Sequence, residues 1–154
     1  MPIAELKKYL DKENVKYVTI CHSRAYTAQE TAASAHIPGK ELAKTVMVKI
    51  DGDMAMAVLP ASYRVDFELL KSAAGTDDVQ LAKEEEFVQL LPECDVGALP
   101  PFGHLYGMDV YVAEELTEDE QIAFNACAHT VLLKMPYRDF QRLVQPRVIS
   151  LALV

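Results

Sequence analysis

The chain has 154 residues, 51% of them hydrophobic and 25% charged, with a formal net charge of −8 at neutral pH. This length fits a single domain (residues 1–154) whose core needs no staples, and the acidic balance excludes a large basic nucleic-acid surface while leaving room for a small local one. Cys21, Cys94 and Cys127 are odd in number and far apart, so they read as reduced thiols of a cytoplasmic protein, with neither a disulfide framework nor a metal knuckle.

Residues 3–13 form an amphipathic helix pattern with Ile3, Leu6, Tyr9 and Leu10 on one side, and residues 15–21 read as a strand. Thr27-Ala28-Gln29-Glu30 has the spacing of a capping box and predicts a helix to about His36, stopped by Pro38-Gly39. Two β-compatible runs, 43–50 and 53–59, flank Asp51-Gly52, the signature of a hairpin with a two-residue type I′ turn. That turn pairs Ile50 with Asp53, Val48 with Ala55, Val46 with Ala57 and Lys44 with Leu59.

Asp66 caps a helix to Ala74 that stops at Gly75, followed by a short strand at 79–81 and a helix over 83–91 ended by Pro92. Residues 95–103 read as a loop, 109–112, 122–126 and 131–135 as strands, and 136–144 as a last helix with Pro136 in its first turn. The apolar tail 148–154 is either a strand added to the sheet or a partner-facing segment. Helices and strands mix without a regular βαβ rhythm, so the class is α+β. No apolar run approaches the ~20 residues of a membrane span, and residues 1–6 lack a basic-then-apolar leader pattern, so no membrane is expected as a partner.

Three features could carry chemistry. Alternation puts Lys44 on the face of Val46, Val48 and Ile50, where an ammonium either snorkels to water or lines a pocket, while Lys49 lies on the other face. The run Val96-Gly97-Ala98-Leu99-Pro100-Pro101-Phe102-Gly103 is either a plain surface turn or a rigid cradle of backbone N–H groups. Between two strands, Asn125-Ala126-Cys127-Ala128-His129-Thr130 places an imidazole either in solvent or at a pocket rim. A Cys127–His129 nucleophile pair lacks a third, orienting group. His22, His36, His104 and His129 show no metal-ligand spacing, and no phosphate-binding glycine loop or nucleophile elbow occurs, so no metal and no cofactor are implied.

Taken in order, GKELAKTVMVKI (39–50), the apolar strand ending in Leu59-Pro60, GALPPFG (97–103) and the strand pair at 125–135 resemble the YbaK/prolyl-tRNA synthetase-associated domain family. Those proteins are aminoacyl-tRNA deacylases that edit mischarged tRNA. The resemblance covers nearly the whole chain. The lysine strand and the GxxxP loop, here Gly97 to Pro101, are specific together and weak apart.

The resemblance implies a mixed, barrel-like β-sheet flanked by helices. It implies Lys44 as the essential lysine, near the scissile ester or the terminal ribose. The backbone of Gly97, Ala98, Leu99, Pro100 and Pro101, with Gly103 closing the segment, would hold the aminoacyl group, and Asn125 and His129 would line the site. Thr45 follows the lysine as in the insertion-domain and Cys-editing branches, whereas Ala-specific relatives tend to carry Asn there. Cys127 stands where the family usually has glycine. The implied activity is hydrolysis of a mischarged small amino acid (Ala, Ser or Cys class) on tRNA, foremost tRNA for proline. The implied partners are that tRNA, in weak or transient contact, and an aminoacyl-tRNA synthetase, with Lys40, Lys44, Lys49 and Arg24 or Arg64 as a local basic patch. A non-catalytic binding module of the same fold, and a hydrolase of another small acyl compound, are the competing readings. Oligomeric state is not legible in the sequence.

Overall fold

The computed structural model describes residues 3–21 and 41–153. The helix expected over 27–36, its Pro38-Gly39 stop, Arg24 and Lys40 lie outside the described residues. The elements are α1 (Ile3–Lys12), β1 (Val18–Cys21), β2 (Ala43–Ile50), β3 (Asp53–Pro60), β4 (Arg64–Val65), α2 (Phe67–Ala74), β5 (Val79–Leu81), α3 (Glu84–Phe87), β6 (Asp109–Ala113), β7 (Gln121–Asn125), β8 (Val131–Pro136), α4 (Tyr137–Val144), β9 (Arg147–Ile149) and β10 (Ala152–Leu153). Short 3-10 turns occupy Gly103–Tyr106 and Glu114–Glu118.

The β2–β3 hairpin organises the molecule. Asp51 (φ 51°) and Gly52 (φ 84°) both adopt the left-handed conformation that a type I′ turn requires. The register follows from it, with Ile50 opposite Asp53 and Lys44 opposite Leu59. Antiparallel β5 extends the sheet on one side, and parallel β6 and β9 extend it on the other, in the order β5-β2-β3-β6-β9. A three-stranded antiparallel sheet, β1-β8-β7, stands apart, and a single parallel bridge between Leu42 and Ala123 joins the two. β10 pairs with β4 as a separate ribbon. The mixed α+β architecture expected from the sequence is therefore present, but among the described residues β5 and β9 remain edges and the curl toward a barrel does not close.

One core fills the space between the sheets and the helices. Phe102 is fully buried there, with Phe124, Phe140 and Tyr9 presenting their rings edge-on at centroid distances of 5.4, 5.8 and 6.3 Å. Edge-to-face pairs of this kind add about 0.5–1.5 kcal/mol each beyond area burial. A second apolar cluster lies on the other face of the hairpin and includes Val48, Ala57, Leu59, Leu70, Tyr111 and Leu151.

The caps of α2 match the sequence: the Asp66 side chain accepts from Glu68 N and Leu69 N, and Gly75 closes the helix at φ 72°. The helix expected over 83–91 shrinks to Glu84–Phe87. Phe87 and Leu91 pack on the core while Val88 and Leu90 are exposed, and tight bonds from Leu90 N to Phe87 O and Cys94 N to Leu91 O replace helical ones after Phe87. The C-terminal tail splits into β9 and β10 around fully buried Leu151, whose carbonyl accepts from Asp66 N at 2.7 Å.

Candidate functional site

Lys44 sits on the face of Val46 and Val48, half-buried. Among the described residues no carboxylate or carbonyl holds its ammonium. Burial pushes its pKa down, because desolvation disfavours the charged form. Lys49, on the opposite face, behaves in the other way: its Nζ lies 2.7 Å from Glu86 Oε2, and that carboxylate raises its pKa. Lys49 is thus neutralised, whereas among the described residues nothing neutralises Lys44. Thr45 is opposite Val58, between the buried side chains of Ala43 and Met47 on its own face.

The chain enters β2 through the junction of the two sheets. Ala123 N donates to Glu41 O (2.9 Å), Ala61 N donates to Leu42 O (2.8 Å), and Leu42 bridges Ala123 in parallel. Parallel strands run the same way, so Lys44 and Asn125 each stand two residues beyond the bridge on the same side of it. Asn125 Nδ2 donates to Ala128 O (3.3 Å), closing the turn between β7 and β8. Cys127 takes up φ 74° at its corner, a left-handed conformation that a residue with a Cβ seldom adopts.

The glycine–proline loop is tied to that turn. Asp95 N donates to Cys127 O (2.9 Å), Cys127 N donates to Ala98 O (2.9 Å), and Ala98 N donates to Asp95 O (3.0 Å). His129 N donates to Asp95 Oδ2 (3.2 Å), and His129 Nε2 lies 2.6 Å from Val96 O. A carbonyl only accepts, so this contact assigns the ring proton to Nε2. Gly97 has φ 83°, and a Cβ there would lie 3.4 Å from His129 Cε1, so the imidazole rests against the glycine. Pro100 and Pro101 are buried and offer no N–H, while Phe102 N donates back to Pro100 O (2.9 Å). Among the described residues, Val96 N, Gly97 N and Leu99 N donate to nothing, which leaves three free donors in the loop, two of them within Gly97 to Pro101.

Gly97, Ala98, Asn125 and His129 are therefore brought together, with Leu99, Pro100 and Pro101 continuing the loop inward. Gly103 belongs elsewhere: a Cβ on it would meet Val110 Cγ2 at 2.9 Å and Met56 Sδ at 3.1 Å, so it lets the chain pass over the sheet. Lys44 and Thr45 connect to this assembly through the Leu42–Ala123 bridge, and among the described residues no hydrogen bond joins either to the loop. A cleft of about 470 Å³ lined by Asp53, Met54, Leu90, Tyr106, Met108 and Asp109 opens at the other end of the hairpin. It is about 20 Å along the strand from Lys44 at ~3.3 Å per residue, and lies apart from the loop.

The reading of three reduced cysteines is corrected. Cys94 and Cys127 form a disulfide with Cα atoms 4.4 Å apart, and Cys21 alone is a free, exposed thiol. The pairing also removes Cys127 as a nucleophile in this state. The bond spans 33 residues, for which chain entropy alone gives about 4 kcal/mol of stabilisation. Asp95 and Cys94 are the positions that sequence reasoning missed, since their partners lie more than thirty residues away with no local spacing to reveal them.

Comparisons with known proteins bear on the family and the fold. Residues 22–143 match the family described as the aminoacyl-tRNA editing domain. A proline–tRNA ligase of Staphylococcus saprophyticus is 38% identical over 66 residues, covering 43% of this chain and 12% of the ligase. The ligase of Staphylococcus aureus strain Newman is 38% identical over 74 residues, covering 48% and 12%. The chain thus spans only a small part of the length of these relatives. Among solved structures, a hypothetical protein superposes with TM-score 0.85 at 21% identity, covering 96% of this chain and 99% of its own. A protein provisionally assigned as a trans-editing enzyme for prolyl tRNA synthetase superposes with TM-score 0.83 at 18% identity, covering 99% and 97%. At such identities the superpositions show a shared fold. No helix among the described residues is long and apolar enough to cross a membrane. With the editing-domain match running across most of its length, the chain belongs to the aminoacyl-tRNA editing domain family.

Proposed function

We propose that this chain hydrolyses the ester of a mischarged small amino acid, of the alanine, serine or cysteine class, on tRNA for proline. The observation that carries the reading is Lys44: a half-buried ammonium that no carboxylate among the described residues neutralises. A protein gains nothing in stability from such a group. It does gain a positive charge for a phosphate, a ribose oxygen or a developing oxyanion.

In this reading water adds to the ester carbonyl carbon, and Gly97 N–H and Leu99 N–H donate to the carbonyl oxygen that acquires charge. The carbonyl re-forms as the C–O bond to the ribose breaks and the ribose oxygen takes the proton the water gives up. Lys44 positions and stabilises charge and forms no covalent bond to substrate. Asn125 and Thr45 border the pocket, and His129 holds the loop through Val96. The aminoacyl ester is already activated, so placement and electrostatics suffice without a metal or cofactor. tRNA contact is weak or transient given the acidic chain, an aminoacyl-tRNA synthetase is the natural partner, and the cytoplasm is where that substrate occurs. Residues 1–154 act as one editing domain.

A panel of mischarged tRNAs tests this. Wild-type protein releases alanine, serine or cysteine from tRNA for proline, and Lys44→Ala reduces release at least ~100-fold while the circular-dichroism spectrum stays unchanged. Binding of the tRNA without turnover by wild type would instead identify a recognition module, and faster hydrolysis of free acyl esters than of tRNA esters would identify a different hydrolase.

A further inference from the structure

The loop and the turn that frame the site are joined covalently, by a residue that is an odd choice for its backbone. Cys127 is held at φ 74°, where glycine would sit without strain. What cysteine brings to that position is its sulfur, and the sulfur is bonded to Cys94, three residues ahead of Gly97. Both cysteines keep slight exposure, 8% and 7%, and Glu93 and Val96 beside Cys94 are exposed. The disulfide itself is buried, with the exposed Glu93 and Val96 one and two residues from Cys94 along the chain.

We propose that Cys94–Cys127 is a redox-controlled clamp on the editing site, closed by oxidation and opened by a dithiol reductant. This rests on the tRNA-deacylase reading in one respect: a tRNA substrate places the protein in a reducing compartment, where a disulfide is transient and regulatory more often than permanent. Opening proceeds by exchange. A thiolate of the dithiol attacks one cysteine sulfur, the Cys94–Cys127 bond breaks, and the other cysteine leaves as a thiolate that takes up a proton. The second thiol of the reductant then displaces the first cysteine and closes the reductant's own disulfide. Two electrons and two protons pass to the protein and none are left over.

The effect follows from which atoms the clamp holds. The bonds Asp95 N to Cys127 O and Cys127 N to Ala98 O flank the disulfide directly, and the His129 contacts to Asp95 and Val96 lie one residue further out. Without the cross-link, Cys127 relaxes toward negative φ, the two flanking bonds lose their alignment, and Gly97 and Leu99 lose their fixed direction. The clamp therefore acts on catalysis through the loop, as a positioning device.

The test uses the full chain carrying Cys21→Ser, which removes the exposed thiol from exchange. The protein is titrated with dithiothreitol and with its oxidised form, and the thiol state is read by alkylation and mass spectrometry. Reduction is expected to be complete and reversible without denaturant. It is expected to speed amide exchange about tenfold across residues 94–103 and 125–131 but not in the 43–60 hairpin, and to lower deacylation about tenfold. Cys94→Ser combined with Cys127→Gly is expected to be insensitive to dithiothreitol in both readouts. A disulfide that resists reduction until the protein unfolds, or equal exchange in the two states, overturns the clamp. Redox-dependent exchange in a protein that deacylates no tRNA in either state would uphold the clamp and overturn the deacylase reading instead.

Discussion

In the hairpin, eight consecutive residue pairs from Ala43–Pro60 to Ile50–Asp53 share the task of holding β2 against β3, and β5 and β6 brace it from either side. The loop at 95–101 has no strand partner. Among the described residues, four backbone hydrogen bonds, two contacts to His129 and the disulfide at neighbouring Cys94 hold it, with Phe102 as its buried foot. The first region spreads its constraints so that removing one leaves the register intact. The second concentrates them, so each tie has a separate effect on where the backbone donors point. The proposed site would take its fixed charge from the redundant part and its adjustable part from the sparse one.

Four measurements would break or sharpen that contrast. The largest effect is expected from Lys44→Met, which removes charge from the redundant region. Deacylation falls at least ~100-fold, while the melting temperature rises by about 2–4 °C because an unpaired, desolvated ammonium is gone. A fall in melting temperature would show that the lysine supports the hairpin. Next is Gly97→Ala in the sparse region. Its φ of 83° strains any Cβ, and that atom would press on His129, so deacylation drops about tenfold with about 1 kcal/mol lost in denaturant titration.

The third measurement is the pH dependence of melting, which probes the loop's foot. His104, two residues after Phe102, bonds Tyr9 Oη through Nε2 at 3.0 Å, while its buried Nδ1 has no partner among the described residues. Burial lowers its pKa below the ordinary 6.5. The unfolded chain therefore takes up the proton first, and stability falls as pH drops below about 6.5 until the folded-state pKa is passed. His104→Asn flattens that part of the profile. The smallest effect is expected from Gly52→Ala: φ 84° costs about 1 kcal/mol, but nothing lies within 4 Å of the added Cβ, and deacylation stays at the wild-type rate. A loss of activity there would mean that strain in the hairpin reaches the site.

The same contrast governs what the sequence reveals. The Asp51-Gly52 turn dictates its register from two residues, and Asp66 and Gly75 mark α2 from its ends, so local chemistry was enough to read both. Lys44 stood out because a charge on an alternating apolar face contradicts its neighbours. The pattern over 83–91 overextends the helix because periodicity places Phe87 and Leu91 on the core without telling that tight turns, and not helical bonds, carry the chain between them. The pairing of Cys94 with Cys127, and of Asp95 with His129, depends on how two sheets meet, and residue spacing carries no trace of that.

The Leu42–Ala123 bridge gives the site a fulcrum. β2 and β7 belong to separate sheets joined at that one parallel contact, and Lys44 and Asn125 each stand two residues along from it, as on two arms. Two residues of strand make an arm of about 7 Å, so a rotation of about 5° at the bridge changes the gap between the arms by about 0.6 Å. That is a large fraction of the size difference between a hydrogen atom and a methyl group. On the proposed deacylase reading, substrate size would therefore be gauged at Leu42 and Ala123 as well as at the mouth.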